Sequence, residues 1–211
     1  MAKREEKRRA LREALVDAAW NRIASEGLAG LNARDLTRDA GCALGGIYTA
    51  FRDLDDLVMH ANARTLALLG DTLETAVAGR RGGAALHALA EAYMGFALTR
   101  RRLWNALFEH PPPPDDTAPD WFVAGHVELL RFVVQALREL PLDEPEDALE
   151  ARARSYFAAV HGIVSISIHS KFVGLSQDRL AAELTSFVRV LTAGIAAEAA
   201  GRTADPQASR A

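Results

Sequence analysis

Residues 32–57, Asn-Ala-Arg-Asp-Leu-Thr-Arg-Asp-Ala-Gly-Cys-Ala-Leu-Gly-Gly-Ile-Tyr-Thr-Ala-Phe-Arg-Asp-Leu-Asp-Asp-Leu, constrain the fold more than any other part of this chain. They read as a short helix, a glycine turn, a second short helix and the capped start of a third. Asn32 is a favoured N-cap residue, and Asp35 follows three positions later, close to a capping box. Leu36 and Ala40 share one helical face, with Arg34 and Arg38 on another. Gly41 ends the first helix, because glycine readily adopts the left-handed conformation of a C-terminal stop. Ile47 and Phe51, again four apart, can lock against Leu36 and Ala40. Asp53 caps the third helix, with Asp56 repeating the capping logic. Two short helices joined by a Gly-containing turn form the helix-turn-helix, whose second helix enters the DNA major groove.

From Ala10 to about Ala61 the sequence resembles the tetracycline repressor (TetR) family of bacterial regulators. The resemblance is carried by Leu15, Ala18, Ala19, Ile23, Gly27, Leu31, Leu36, Ala40, Gly41, Gly45, Ile47, Tyr48, Phe51 and Leu57. The family's usual run is Gly-Val-Ser-x-Gly-x-Leu-Tyr-x-His-Phe, then Lys-x-x-Leu. Here it stands as Gly41-Cys42-Ala43-Leu44-Gly45-Gly46-Ile47-Tyr48-Thr49-Ala50-Phe51, with Leu54 in the Lys place. The resemblance implies that Tyr48 bonds a phosphate and that residues 43–49 face the groove.

Several departures bear on readout. Ala43 replaces the Ser that caps the recognition helix, a loss of about 1 kcal/mol. Gly45 and Gly46, read as interior to that helix, cost about 1 kcal/mol each relative to Ala. Leu44 and Leu54 remove two cations. Direct readout uses Arg, Lys, Asn or Gln at base edges; here only Thr49 offers a side-chain hydrogen bond, while Ala43 and Leu44 can touch thymine methyls. Readout through apolar contacts and DNA shape and weak, degraded DNA binding both fit these residues.

The net charge is -3, unevenly distributed. Residues 1–53 hold ten Lys and Arg against eight Asp and Glu, and the remainder fifteen against twenty. Lys3, Arg4, Lys7, Arg8, Arg9 and Arg12 form a basic arm that can track phosphates, or simply a solvated helix start. Arg34, Arg38 and Arg52 are further candidate phosphate contacts. The DNA-binding residues expected are therefore Arg34, Ala43, Leu44, Gly45, Gly46, Tyr48, Thr49 and Arg52.

Nearly half of the 211 residues are hydrophobic, enough for a substantial core. Val and Ile recur at helical rather than alternating spacing, so the chain reads as all-α. The charged start lacks the apolar region of a signal peptide, and no uncharged run approaches the roughly 18 residues of a membrane span. The single Cys fits a reducing, cytoplasmic compartment. Cys42 reads as a small apolar filler, with a redox sensor as the alternative.

Three parts are expected: a helix-turn-helix domain over 1–53, a helical effector-binding and dimerisation domain over 54–200, and a disordered tail over 201–211. In the body, helices are expected from about Leu54 to Ala78, Ala84 to Thr99, Arg101 to His110, Asp120 to Leu140, Glu146 to Phe172 and Gln177 to Ala200. Pro111–Pro114 break helix outright, opening an exposed loop to Pro119.

Leu180, Leu184, Phe187, Val188, Leu191 and Ile195 make a continuous apolar stripe, and Val160, Val164 and Ile168 make another. Such stripes either line a monomer core or meet a partner. The family resemblance implies the partner, through a four-helix bundle, so Val160, Val164, Ile168, Leu184, Phe187, Val188 and Leu191 are the expected dimer residues. A two-fold dimer would set its recognition helices about 34–36 Å apart, matching a palindromic operator.

Phe157-x-x-x-His161-Gly162 resembles the Trp-x-x-x-His-Gly signature of one C-terminal domain class of that family, with Phe in the Trp place. Gly162 in mid-helix costs about 1 kcal/mol, which a close helix crossing or a bound ligand would justify. His161 is either a hydrogen-bonded core histidine or a ligand contact. Pockets are mostly apolar and aromatic, so Tyr93, Phe96, Trp104, Phe108, Trp121, Phe122, Phe157 and His161 are candidate lining for a small apolar or aromatic effector, with the Pro111–Pro119 loop as its gate. Phe132 belongs to the same aromatic group.

No enzyme, metal centre or cofactor is expected. His161 and His169 stand about 12 Å apart along a helix, and the chain has no phosphate-binding glycine loop, nucleophile elbow or Cys cluster. The resemblance implies a dimeric regulator, a repressor released from its operator by its effector. The competing reading is a helical ligand-binding or interaction protein whose helix-turn-helix no longer reads DNA.

Overall fold

The computed structural model describes residues 2–110, 118–142, 144–169 and 173–204. Nine α-helices and one 3-10 turn make up its regular structure, with no strand among the described residues. The helices are α1 (Ala2–Glu26), α2 (Ala33–Asp39), α3 (Gly46–Ala50), α4 (Leu54–Val77), α5 (Gly82–Thr99), α6 (Arg101–Glu109), α7 (Asp120–Arg138), α8 (Glu146–Ile168) and α9 (Gln177–Ala204), and the 3-10 turn spans Leu28–Gly30. The all-α expectation holds. α9 continues to Ala204, so Gly201 does not end it; residues 205–211 of the expected tail, and residues 111–117 of the expected gating loop, lie outside the described residues.

The chain divides into two compact units, one of residues 1–69 and 99–126, the other of 70–98 and 127–211. In the first unit, α1 packs on α2, α3 and α6. Its core joins Leu15, Ala18, Ala19 and Ile23 of α1 to Leu36, Ile47, Phe51, Leu57, Ala61, Leu103 and Ala106. Full burial of each Leu, Ile or Phe contributes about 1.5–3 kcal/mol, so two short helices that could not stand alone are held by what they pack against. The lock of Ile47 and Phe51 on Leu36 is present, with Ala40 partly buried beside it.

Local capping follows the residues. The Asn32 side chain accepts the Asp35 backbone N–H at 2.9 Å, and Asp53 Oδ1 accepts that of Asp56 at 2.7 Å. Asp56 returns a bond to the Arg52 backbone N–H at 3.0 Å.

In the second unit, α8 and α9 pack together. Here the dimer expectation needs correction. Val160, Val164, Ile168, Leu184 and Val188 are all buried within the chain itself. These stripes are covered by the chain itself, as the apolar side of an amphipathic helix commonly is. Only Phe187 and Leu191 of the expected set stay half-buried. The outward apolar residues are instead Ile166, 47% exposed, and Val190, 60% exposed. By length and mean hydropathy Gln177–Glu198 could cross a membrane. Glu183 and Arg189 within it, and the burial of Leu180, Leu184, Val188 and Ile195 along one stripe, fit an amphipathic helix with one apolar face covered by the chain.

Candidate nucleic-acid interface

α2 ends at Gly41, whose φ of +68° is the left-handed stop a side chain would strain. The Gly41 and Cys42 N–H groups return to Arg38 O (3.1 Å) and Thr37 O (2.9 Å), closing the helix end. The chain then makes a second turn, with Gly46 N–H on Ala43 O at 2.8 Å. Here the structure departs from the expected helix beginning near Ala43. α3 is five residues long; Gly45 is its N-cap and Gly46 its first residue. The interior-glycine penalty therefore does not arise at Gly45. Gly46 has a packing reason, since a Cβ there would stand 2.8 Å from Cys42 Sγ. That contact also places Cys42 as filler against the turn, half-buried and unpaired.

Around α3, Ile47 of the helix and Phe51 at its C-cap turn inward, and most of the other residues from 43 to 49 turn out. Ile47 and Phe51 are buried, whereas Leu44 is 55% and Tyr48 68% exposed. Ala43, Gly45 and Thr49 are exposed as well, Gly46 half so. The Thr49 hydroxyl donates to Gly45 O at 3.1 Å. Arg34 is exposed on α2. Arg38 lies 2.7 Å from Asp35, and Arg52 bonds Asp53 at 3.1 Å.

In the second unit Tyr93 and His161 share a 2.7 Å hydrogen bond between Oη and Nδ1. Phe157 meets Tyr93 edge-on at 5.6 Å and lies 5.6 Å from His161. Phe96 is buried in the same unit, and Gly162 has open space where a Cβ would go, so no close helix crossing among the described residues explains that glycine. Trp104, Phe108, Trp121 and Phe122 belong to the first unit. There Trp104 is buried against Phe108 at 5.3 Å, and Phe122 is buried between Trp121 and His126. The eight expected effector residues thus form separate groups in two units.

A sequence profile for the tetracyclin repressor-like C-terminal domain matches residues 86–193. The chain belongs to the TetR family of transcriptional regulators. Its fold is similar to that of the protein SCO4313 (TM-score 0.67, 22% identity, covering 87% of this chain and 97% of that one). It is similar also to a protein of unknown function from Rhodococcus sp. RHA1 (TM-score 0.65, 27% identity, 84% and 93% covered). The transcriptional regulator FadR from Bacillus subtilis, solved in complex with stearoyl-CoA, shares the fold at TM-score 0.57 and 14% identity, with 86% and 98% covered. A sequence search of curated proteins finds no match.

Behind α3 this TetR-family regulator carries a buttress that the linear sequence does not display. Arg12 donates to Ala50 O at 2.6 Å, the last residue of α3, and a second guanidinium N–H reaches His60 Nε2. The same guanidinium lies 4.3 Å above the Phe51 ring. Arg12 is therefore half-buried support for α3 and not a phosphate-tracking member of the basic arm; residues 3, 4 and 7–9 of that arm remain exposed. Its position one turn before Leu15, on the inward side of α1, was the available signal. His60 also meets Trp121, which the sequence had suggested as pocket lining. Burial first, then the Arg12 charge, push the His60 imidazole below its ordinary value, against the opposing pull of Asp56.

A second tie fixes α1 to α2. Arg22 bonds Asp39 at 2.7 Å and lies within 3.5 Å of Asp35 and 3.3 Å of Glu26. The Asn32 amide above all, with Arg38 and Arg22, holds the Asp35 carboxyl below the usual carboxylate range. The backbone N–H of Asp56 does the same for Asp53.

Proposed function

We propose that this regulator is a homodimeric, cytoplasmic repressor that binds a palindromic operator in double-stranded DNA and leaves it when a small, largely apolar effector binds. The observation that carries the reading is the one-turn α3, anchored inward by Ile47 and Phe51 and presenting Ala43, Leu44, Tyr48 and Thr49 outward. Those residues, with Gly45 and Gly46 allowing close backbone approach, meet the major groove; Arg34, Arg52 and the basic arm meet phosphates. DNA binding falls to residues 1–53, and effector binding and dimerisation to 54–200.

The dimer forms through the outward faces of α8 and α9. Ile166 and Val190 are exposed there, Phe187 and Leu191 half-exposed. Gly162 and Gly194 leave open space at their Cα atoms, which lets a second helix approach closely.

The effector site centres on Tyr93, Phe157 and His161, an apolar surround with a small number of polar groups. The motif around His161 and Gly162 supports assignment to the Trp-His-Gly class of C-terminal domains. FadR is solved in complex with stearoyl-CoA, whose acyl chain is apolar, and that likeness supports a partly apolar effector here. Release would follow from a higher effector affinity for the conformation that binds DNA less well.

Selection of bound sequences from a random DNA pool tests the reading. The expected result is an enriched palindrome whose half-sites lie one helical turn apart, bound by two protomers. A pool that stays random would leave a helical ligand-binding or interaction protein whose helix-turn-helix does not read DNA.

A further inference from the structure

Between Ala40 and Phe51 the chain contains no Arg, Lys, Asn, Gln, His, Asp or Glu. Guanine is read by bidentate Arg or Lys, adenine by bidentate Asn or Gln, and cytosine by carboxylates; none of these contacts can come from this reading surface. Its two hydroxyls are those of Tyr48 and Thr49, and the Thr49 proton is directed to Gly45 O. What faces outward is apolar: the Ala43 methyl, the Leu44 isobutyl group and the Tyr48 ring, beside glycines at 45 and 46. The feature of a base edge in the major groove that the apolar part of such a surface recognises is the C5-methyl group of thymine.

We propose that this regulator selects its operator through C5-methyl groups, with Leu44 as the specificity-determining residue, and that it therefore accepts 5-methylcytosine in place of thymine. This rests on the DNA-binding reading above. Thymine and 5-methylcytosine differ at O4 and N4 but carry the same methyl at the same place, and the surface has no side-chain donor committed to distinguishing the two polar groups. Each methyl covered by Leu44 or Ala43 contributes about fourfold in affinity, as for the burial of one methylene-sized apolar group.

The test uses the full-length protein and the operator enriched from a random pool, measured by fluorescence anisotropy. Replacing each half-site thymine by deoxyuridine removes only the methyl. The expected result is about a fourfold loss at each contacted thymine. A 5-methylcytosine–guanine pair placed there should bind within about twofold of thymine–adenine, while plain cytosine–guanine shows the loss. Leu44→Ala, at an exposed position and with its fold checked by circular dichroism, should show a clearly smaller loss on deoxyuridine substitution than the unsubstituted protein; an undiminished loss would overturn Leu44 as the specificity-determining residue. An enriched operator that binds equally well with deoxyuridine throughout would overturn methyl readout while leaving the DNA-binding reading intact. A pool that yields no enriched sequence would overturn both.

Discussion

The Trp121 indole lies nearly flat on the His60 imidazole, their centroids 4.4 Å apart and their planes 14° from parallel. His60 in turn accepts from Arg12, which holds the carbonyl of Ala50 at the end of α3. The start of α7 is thus linked through two side chains to the element proposed to meet DNA. A five-residue helix has too few internal hydrogen bonds to fix its own position, so this support does for α3 what length does for an ordinary recognition helix.

Arg12→Ala removes the bond to Ala50, the partner of His60 and the cover over Phe51. Hydrogen bonds to charged groups contribute about 1.5–3 kcal/mol, and a loss of about 2 kcal/mol in unfolding free energy is expected in a urea titration. DNA affinity should fall in the same variant, although its guanidinium touches no DNA. Arg9→Ala, an exposed arm residue, should leave stability unchanged and lower affinity only at low salt.

Acid should loosen the same support. His60 in the folded chain sits below the ordinary histidine value of about 6.5, because burial and Arg12 oppose its charge. The unfolded chain therefore binds a proton that the folded chain refuses, and stability rises with pH across this range. The contribution is complete above about pH 6.5 and is lost as pH falls below it. His161 adds the same sign, through burial and then the charge of His169. A lower thermal midpoint at pH 5.5 than at pH 7.5 is expected, with a smaller difference in His60→Gln. Equal midpoints in the unsubstituted protein would contradict this account of His60.

At Gly46 two effects compete. Alanine favours helix over glycine by about 1 kcal/mol, but its Cβ would meet Cys42 Sγ at 2.8 Å, and overpacking costs about 1–3 kcal/mol. Gly46→Ala should therefore be neutral to destabilising by up to about 2 kcal/mol. Once Cys42→Ala has removed the sulfur, only its Cβ at 3.3 Å remains close, and the same substitution should cost less than in the unsubstituted protein. A double-mutant cycle on denaturation free energies reads the coupling directly.

Exposed and buried positions of α8 and α9 should respond oppositely to charge. Ile166→Glu with Val190→Glu is expected to leave a folded monomer in sedimentation, with unchanged helicity. Val188→Glu places a carboxylate in a buried site and should unfold the second unit, since an unpaired buried charge is costly.

The parts legible in the sequence are those decided by near neighbours. Asn32, Gly41, Asp53 and Asp56 act within three or four residues, and each does in the structure what its position implies. The length of α3 was not legible, because the chain makes a further turn, closed by Gly46 N–H on Ala43 O, before the helix begins. Periodicity identified the stripes of Val160, Val164, Leu184 and Val188 but could not say which surface each faces. An apolar residue at helical spacing reads alike in a core and at an interface, and these went to the core. Arg12 was obscured by its company, one cation in a charge run, although it alone of that run turns inward to Ala50.

The central claim is that the apolar one-turn helix reads DNA specifically. The most direct measurement is binding of the purified protein to DNA flanking its own gene across a salt titration, with Leu44→Ala, Tyr48→Phe and Arg34→Ala alongside. The account predicts sequence-specific binding by two protomers, weakened by each substitution, with a reduced salt slope in Arg34→Ala as one phosphate contact is lost. Weak binding that is indifferent to sequence and unchanged in all three variants would contradict it.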